Sequence, residues 1–187
     1  MRRGLTFFFL CILPVTAQTI KDRADSALKQ SLLGHWAGYP EYRDYSEPPM
    51  STKRVRLPTW LEITPNDTGL SMHYIYDDRP NKVVDETEQV SFDLAHNTYT
   101  SKQAEHPPDT YQVDGFNSLR DGLGTLVLTG RGSDNDKPAD MRITFTIRRN
   151  MLELLREARP VGSSDDFAFR HLYRFTRTPA PGVTKAR

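Results

Sequence analysis

The sequence predicts an all-β domain, an antiparallel up-and-down barrel of eight to ten strands with a short N-terminal helix. Short alternating apolar and polar runs recur from Trp36 to Thr176, each bounded by turn residues. Only residues 18–33 carry apolar side chains at helical spacing, so no crossover helices are available to build a parallel sheet. No period of roughly 20 to 50 residues marks a repeat array. Closure is preferred to a two-sheet sandwich because a single meander of this many hairpins removes its own edges by closing.

In chain order, Ile20, Ala24, Ala27, Leu28, Leu32 and Leu33 form the apolar stripe of the helix, which stops at Gly34. Val55, Leu57, Leu61 and Ile63 share one face of a run that ends at the turn Pro65 to Gly69. A hairpin carries the chain into Leu70, Met72, Tyr74 and Tyr76, and Asp77 to Asn81 turns it again. Val84, Val90, Phe92 and Leu94 mark a longer strand ending at His96-Asn97. Gln103 to Asp109 reads as a loop, Tyr111 to Val113 as a short strand, and Asp121 to Gly124 as a turn. Leu126 and Leu128 precede a polar loop from Gly130 to Lys137. Met141, Ile143, Phe145 and Ile147 then alternate strictly with Arg142, Thr144, Thr146 and Arg148. Arg149-Asn150 makes a tight hairpin into Met151 to Glu157, and Gly162 to Asp166 precedes the last strand. There Phe167, Phe169, His171, Tyr173 and Phe175 share one face, with Arg170, Arg174 and Thr176 on the other. The tail, residues 178–187, is expected to be disordered.

The first 17 residues read as a removable export signal: Arg2 and Arg3, an apolar run from Leu5 to Val15, and small residues ending at Ala17. That run is about half the roughly 20 residues a bilayer span requires, so no membrane span is expected after cleavage. The mature domain is then expected outside the cytoplasm, in the periplasm or the extracellular medium. Cleavage also removes Cys11, the sole cysteine, leaving the domain without disulfides or thiolate chemistry. Removing two arginines leaves 23 basic residues against 24 acidic, so the formal net charge moves from +1 to −1. A chain with no net positive field is a poor nucleic-acid partner. Hydrophobic residues at 37%, charged residues at 26% and a mean hydropathy of −0.62 argue against a membrane-embedded protein. A monomer is expected.

Gly34, Trp36 and Gly38 form Gly-x-Trp-x-Gly where the helix enters the first strand. This resembles the start of the calycin group, the lipocalins and fatty-acid-binding proteins, and is similar to the opening of nitrobindin-like barrels. The resemblance implies a lipocalin-like barrel whose tryptophan closes one end beneath an arginine from the last strand or just beyond it. Arg174 or Arg177 can take that part, with Arg174 placed in the motif. Two departures are the missing cysteine pair and Pro40 inside the first strand, which implies an edge or a bulge there. In nitrobindin-like barrels a C-terminal histidine ligates haem iron, so the resemblance offers His171 as a haem ligand; the other reading is a hydrogen-bonded interior histidine with no cofactor.

By strand parity, Tyr74, Tyr76, Tyr111, His171 and Tyr173 fall on apolar faces, and Glu86 and Glu88 share the parity of Val90 and Phe92. Unless a bulge turns the glutamates outward, the interior holds hydroxyls, a carboxylate or two and an imidazole. Such a lining suits an apolar or amphiphilic small molecule, with Tyr74, Tyr76, Glu88, Tyr111, His171 and Tyr173 as ligand-binding candidates. Two alternatives stand beside that reading. One is a lyase or isomerase using His171 with an interior carboxylate; the other is a solidly packed barrel with a structural role. Ser133 to Asp136, with Asp140, offers oxygen ligands but lacks the spacing of a calcium hand, and no metal site is assigned. Arg54, Arg56, Arg142, Arg148, Arg170 and Arg174 take outward parities, where mixed surface pairs are expected. No phosphate loop, serine-centred elbow, zinc-ligand helix or dinucleotide fingerprint is present.

Overall fold

The computed structural model describes residues 15–44, 46–47, 52–79, 82–135 and 137–180. Most of residues 1–17, expected to be an export signal, and residues 181–187 of the expected tail therefore lie outside the described residues. A helix, α1 (Val15–Leu32), precedes strands β1 (Gly34–Arg43), β2 (Arg54–Arg56), β3 (Thr59–Pro65), β4 (Leu70–Arg79), β5 (Lys82–Asp93) and β6 (Thr98–Gln103). Strands β7 (Asp109–Asp114), β8 (Gly124–Asp134), β9 (Lys137–Arg148), β10 (Met151–Pro160) and β11 (Ala168–Thr178) complete the domain. Each strand from β3 to β11 pairs antiparallel with its sequence neighbour, and β11 returns to β1 from His35↔Thr178 to Tyr42↔His171. The result is the closed ten-stranded antiparallel barrel expected, with β2 as a short extension.

The run expected from Val55 to Ile63 is broken at Leu57-Pro58, because proline has no N–H to donate to a ladder. β1 therefore pairs with β3 over Gly34–Gly38 and with β2 over Glu41–Arg43. Pro40 falls at that change of partner, where its carbonyl accepts the Leu57 N–H at 3.3 Å.

The lower half of the barrel is filled. Leu28 and Leu32 of α1 seal its mouth from below, while Leu126, Ile147 and Leu152 line the wall above, all 2% exposed or less. Phe92, Tyr99 and Phe145 pack as a tilted and edge-on cluster with centroids 5.0 to 6.2 Å apart. Trp36 donates its indole N–H to the Leu32 carbonyl at 2.9 Å, which ties the first strand to the end of the helix.

The arginine that covers Trp36 is Arg177, whose guanidinium lies 4.1 Å from the ring centroid. Arg174, placed in the motif from sequence, points outward and donates its Nε–H to Glu153 at 2.7 Å. Strand parity explains the correction: Phe175 faces the core, so Arg174 cannot, while Arg177 faces the closed end. The two glycines have separate causes. Gly34 takes φ +117°, a left-handed conformation, beside Arg177, and a Cβ on Gly38 would stand 1.8 Å from the Arg174 carbonyl oxygen.

Two stretches depart from expectation. Thr98–Gln103 is a strand not anticipated, and the loop expected from Gly130 to Lys137 is mostly strand, with β8 running to Asp134 and β9 beginning at Lys137. Apart from Tyr99, the inward positions in both are polar or glycine, so no apolar alternation marks them. β11 also carries a bulge. Arg156 pairs with His171, but Glu157 pairs with Phe169, so one residue is skipped and the facing reverses. Phe167 and Phe169 accordingly leave the face they were expected to share with His171. Phe169 lies beneath the Arg54 guanidinium at 4.7 Å, and Phe167 is covered by Arg142 and Arg159, each at 4.5 Å.

Candidate functional site

Above the aromatic cluster the barrel is open. Three adjoining spaces of about 260, 300 and 380 Å³ occupy its upper half. The first two share Tyr76, Glu86, His171 and Tyr173, and the first and third share Glu88, Gln103, Ile143 and Arg156. Lower half filled and upper half empty is what the strand patterns dictate. Inward positions are apolar near the helix end and turn to tyrosine, glutamate, arginine and histidine toward the rim.

The ladder between β4 and β5 is regular from Leu70↔Val90 to Asp77↔Val83, so no bulge intervenes at Glu86 or Glu88. Glu86 pairs with Tyr74 and Glu88 with Met72, and both glutamates line the first space. Glu86 stands at the exposed mouth. Glu88 lies deeper and accepts a hydrogen bond from the Ser101 hydroxyl. Burial raises the Glu88 carboxyl above its usual range, while the Ser101 bond and the charge of Arg156 oppose that shift.

Tyr74, Tyr76 and Tyr173 form one aromatic wall. Tyr74 and Tyr76 stack at 5.9 Å, and Tyr173 lies 5.8 Å from Tyr74. The Tyr76 and Tyr173 hydroxyls are 3.3 Å apart, and burial raises the pKa of all three phenols, which therefore stay neutral donors. His171 meets Tyr173 edge-on at 5.3 Å. Burial, aided by the Arg156 charge and opposed by Asp134, lowers its pKa to about 4, so the imidazole is neutral near pH 7.

Tyr74, Tyr76, Glu88, His171 and Tyr173 thus come together around one space. Tyr111 does not join them: it lies against Tyr99 at 6.2 Å and faces the third space with Asp109 and His106. The residue that sequence reasoning missed is Arg156. Leu152, Leu154, Arg156 and Ala158 alternate inward along β10, and this periodicity was the available sign. Arg156 lines both the first and third spaces and makes no hydrogen bond or ion pair with any described residue.

The residues beside His171 do not fit haem. A rigid macrocycle needs one flat apolar slot against the imidazole. Here the space around His171 is two compartments, with Tyr76, Glu86 and Tyr173 between them and a second carboxylate, Glu88, facing in. Nor do the acidic residues of the upper rim form a metal group among the described residues. Asp134 pairs with Arg170 at 2.6 Å, and Asp140 lies within 3.8 Å of Arg131 and Arg159. Asp136 lies outside the described residues. The outer arginines are likewise committed, Arg56 to Glu41, Arg142 to Glu157 and Arg174 to Glu153.

Compared with protein-family models, with curated proteins and with solved structures, the chain has no match.

Proposed function

We propose that this protein is an exported, lipocalin-like binding protein that holds one small amphiphilic molecule in the upper half of its barrel without transforming it. The observation that carries this reading is the half-filled interior: a packed floor beneath open space whose wall combines tyrosine rings with a few polar groups. Spaces of 260 to 380 Å³ that adjoin one another suit a ligand of modest size. Rings give contact area, and neutral phenols with a carboxylate and a guanidinium orient a polar head. The Gly-x-Trp-x-Gly entry and the arginine over the tryptophan agree with a calycin-like barrel. Residues 1–17 supply the export leader in this reading, and the domain acts as a monomer.

An enzyme working through His171 and a glutamate is the less supported reading. Among the described residues no hydrogen bond joins His171 to Glu86 or Glu88, so no histidine–carboxylate dyad is assembled in the cavity. Native mass spectrometry of protein purified from the periplasm or culture medium tests the proposal. The expected spectrum carries a bound mass that denaturation releases. A bare polypeptide mass, with no thermal shift from any small amphiphile, would overturn it.

A further inference from the structure

The interior holds charges of both signs that do not close on each other. Arg156 stands on β10, between Ile143 of β9 and His171 of β11, and reaches the first and third spaces. Glu86 and Glu88 stand on β5 and face the same first space. The carboxylate of Glu88 is engaged by Ser101, and Arg156 has no ion pair or hydrogen bond among the described residues. A guanidinium inside a barrel normally finds a carboxylate, because its five N–H donors are costly to leave unmatched away from bulk water. Two glutamates are present in the same cavity, and although the charge of Arg156 is felt by Glu88, neither lies within ion-pair or hydrogen-bond distance of it.

Resting on the binding function proposed above, we infer that the cavity selects a small zwitterion with an apolar body, its anionic group held by Arg156 and its ammonium group by the Glu86 and Glu88 wall. Each half of the ligand answers a feature already in place. A carboxylate can accept two parallel N–H donors from one guanidinium, a geometry that ammonium side chains cannot offer. The ammonium lies toward two carboxylates and the faces of Tyr74 and Tyr76, and aromatic faces also attract cations. The apolar body rests on Leu154, Phe145 and Tyr173. An anion alone would leave the glutamate wall unanswered and face its repulsion, and a cation alone would do the same with Arg156. The space of about 260 Å³ suits a molecule the size of an aromatic amino acid.

The test titrates the full-length mature protein with L-phenylalanine, phenethylamine and 3-phenylpropionate, which share a body and differ in charged groups, using calorimetry or ligand-observed NMR. Phenylalanine is expected to bind about tenfold or more tighter than either singly charged analogue. In Arg156→Gln that advantage over phenethylamine should vanish, while phenethylamine binds no worse than before. In Glu88→Gln, which keeps an oxygen for Ser101, the advantage over phenylpropionate should shrink. Arg156→Lys, which retains the charge, covers the case in which the glutamine variant does not fold and should keep part of the preference. If either analogue binds as tightly as phenylalanine, the inference is overturned while the cavity remains a binding site. If none of the three binds but a small molecule still travels with the purified protein, this inference alone fails; if the protein is also bare, the binding function fails with it.

Discussion

Arg177 covers Trp36 at 4.1 Å and, with the same guanidinium, donates to the Leu33 carbonyl at 2.5 Å and the Ser31 carbonyl at 2.6 Å. One side chain from the end of the last strand therefore caps the C-terminal end of α1 and lids the tryptophan at the floor of the barrel. Its third bond, from Nε to the Arg149 carbonyl at 3.0 Å, reaches the β9–β10 hairpin. Helix ends leave carbonyls without intrahelical partners, and a cation there is favoured by both hydrogen bonding and the helix dipole.

Arg177→Ala is expected to cost about 2–3 kcal/mol, from charged hydrogen bonds and the cation–π contact together. For a domain of this size that lowers Tm by roughly 5–10 °C. Arg174→Ala removes an exposed pair with Glu153 and should cost about 1 kcal/mol or less. Parallel melts of the two variants check the assignment, since the reverse order would place Arg174 in the motif.

Gly38→Ala is expected to damage closure itself. The added methyl would meet the Arg174 carbonyl oxygen at 1.8 Å, a backbone atom that cannot swing aside. β1 and β11 must then separate along the seam that closes the barrel, at a cost of about 2 kcal/mol or more. Amide hydrogen exchange should show the loss concentrated in those two strands, and unchanged protection there would refute it.

The barrel was legible because most strands bury one face in an apolar floor, and alternation such as Met141, Ile143, Phe145, Ile147 has no other explanation. Legibility failed where the interior turns polar. Thr98–Gln103 has Tyr99 as its one buried inward ring and Ser101 facing Glu88, so a single aromatic sets up no alternation. Five of six binding candidates met in space because β4 up to Asp77, the paired stretch of β5 from Val83 to Val90 and β11 from His171 to Thr178 keep unbroken parity. Tyr111 strayed because parity gives a face and not a position around the ring of strands. Arg156 was overlooked because an inward arginine looks like a surface residue until the cavity around it is seen. The bulge beside His171 left no trace, as aromatic residues continue on both sides of it.

The buried His171 makes a pH-dependent contribution whose sign follows from its lowered pKa. An unfolded histidine titrates near 6.5 and the folded one at about 4, so the unfolded chain binds the extra proton first. Stability is therefore full above about pH 6.5 and falls as the pH drops toward 4, by up to about 3 kcal/mol. Arg156 deepens the effect and Asp134 opposes it. The raised carboxyl of Glu88 acts in the opposite sense, since the folded protein binds its proton more readily than the unfolded chain. Denaturant melts of wild type and His171→Gln across pH 4 to 7 isolate the histidine: the glutamine variant should lose less stability on acidification, and parallel curves would contradict the assignment.

Leu154→Trp separates binding from folding. Leu154 lies on the wall of the first space, paired with Phe145 on one side and Tyr173 on the other, above the packed floor. An indole there projects into empty volume, so it displaces a ligand without crowding the core. Filling the space adds apolar contact and should leave stability unchanged or raise it by up to about 1 kcal/mol. The bound mass expected in wild-type protein should then disappear from the native spectrum while the melt stays cooperative. Retention of the ligand by this variant would move the binding site away from the first space, toward the compartment bounded by Tyr111 and Asp109.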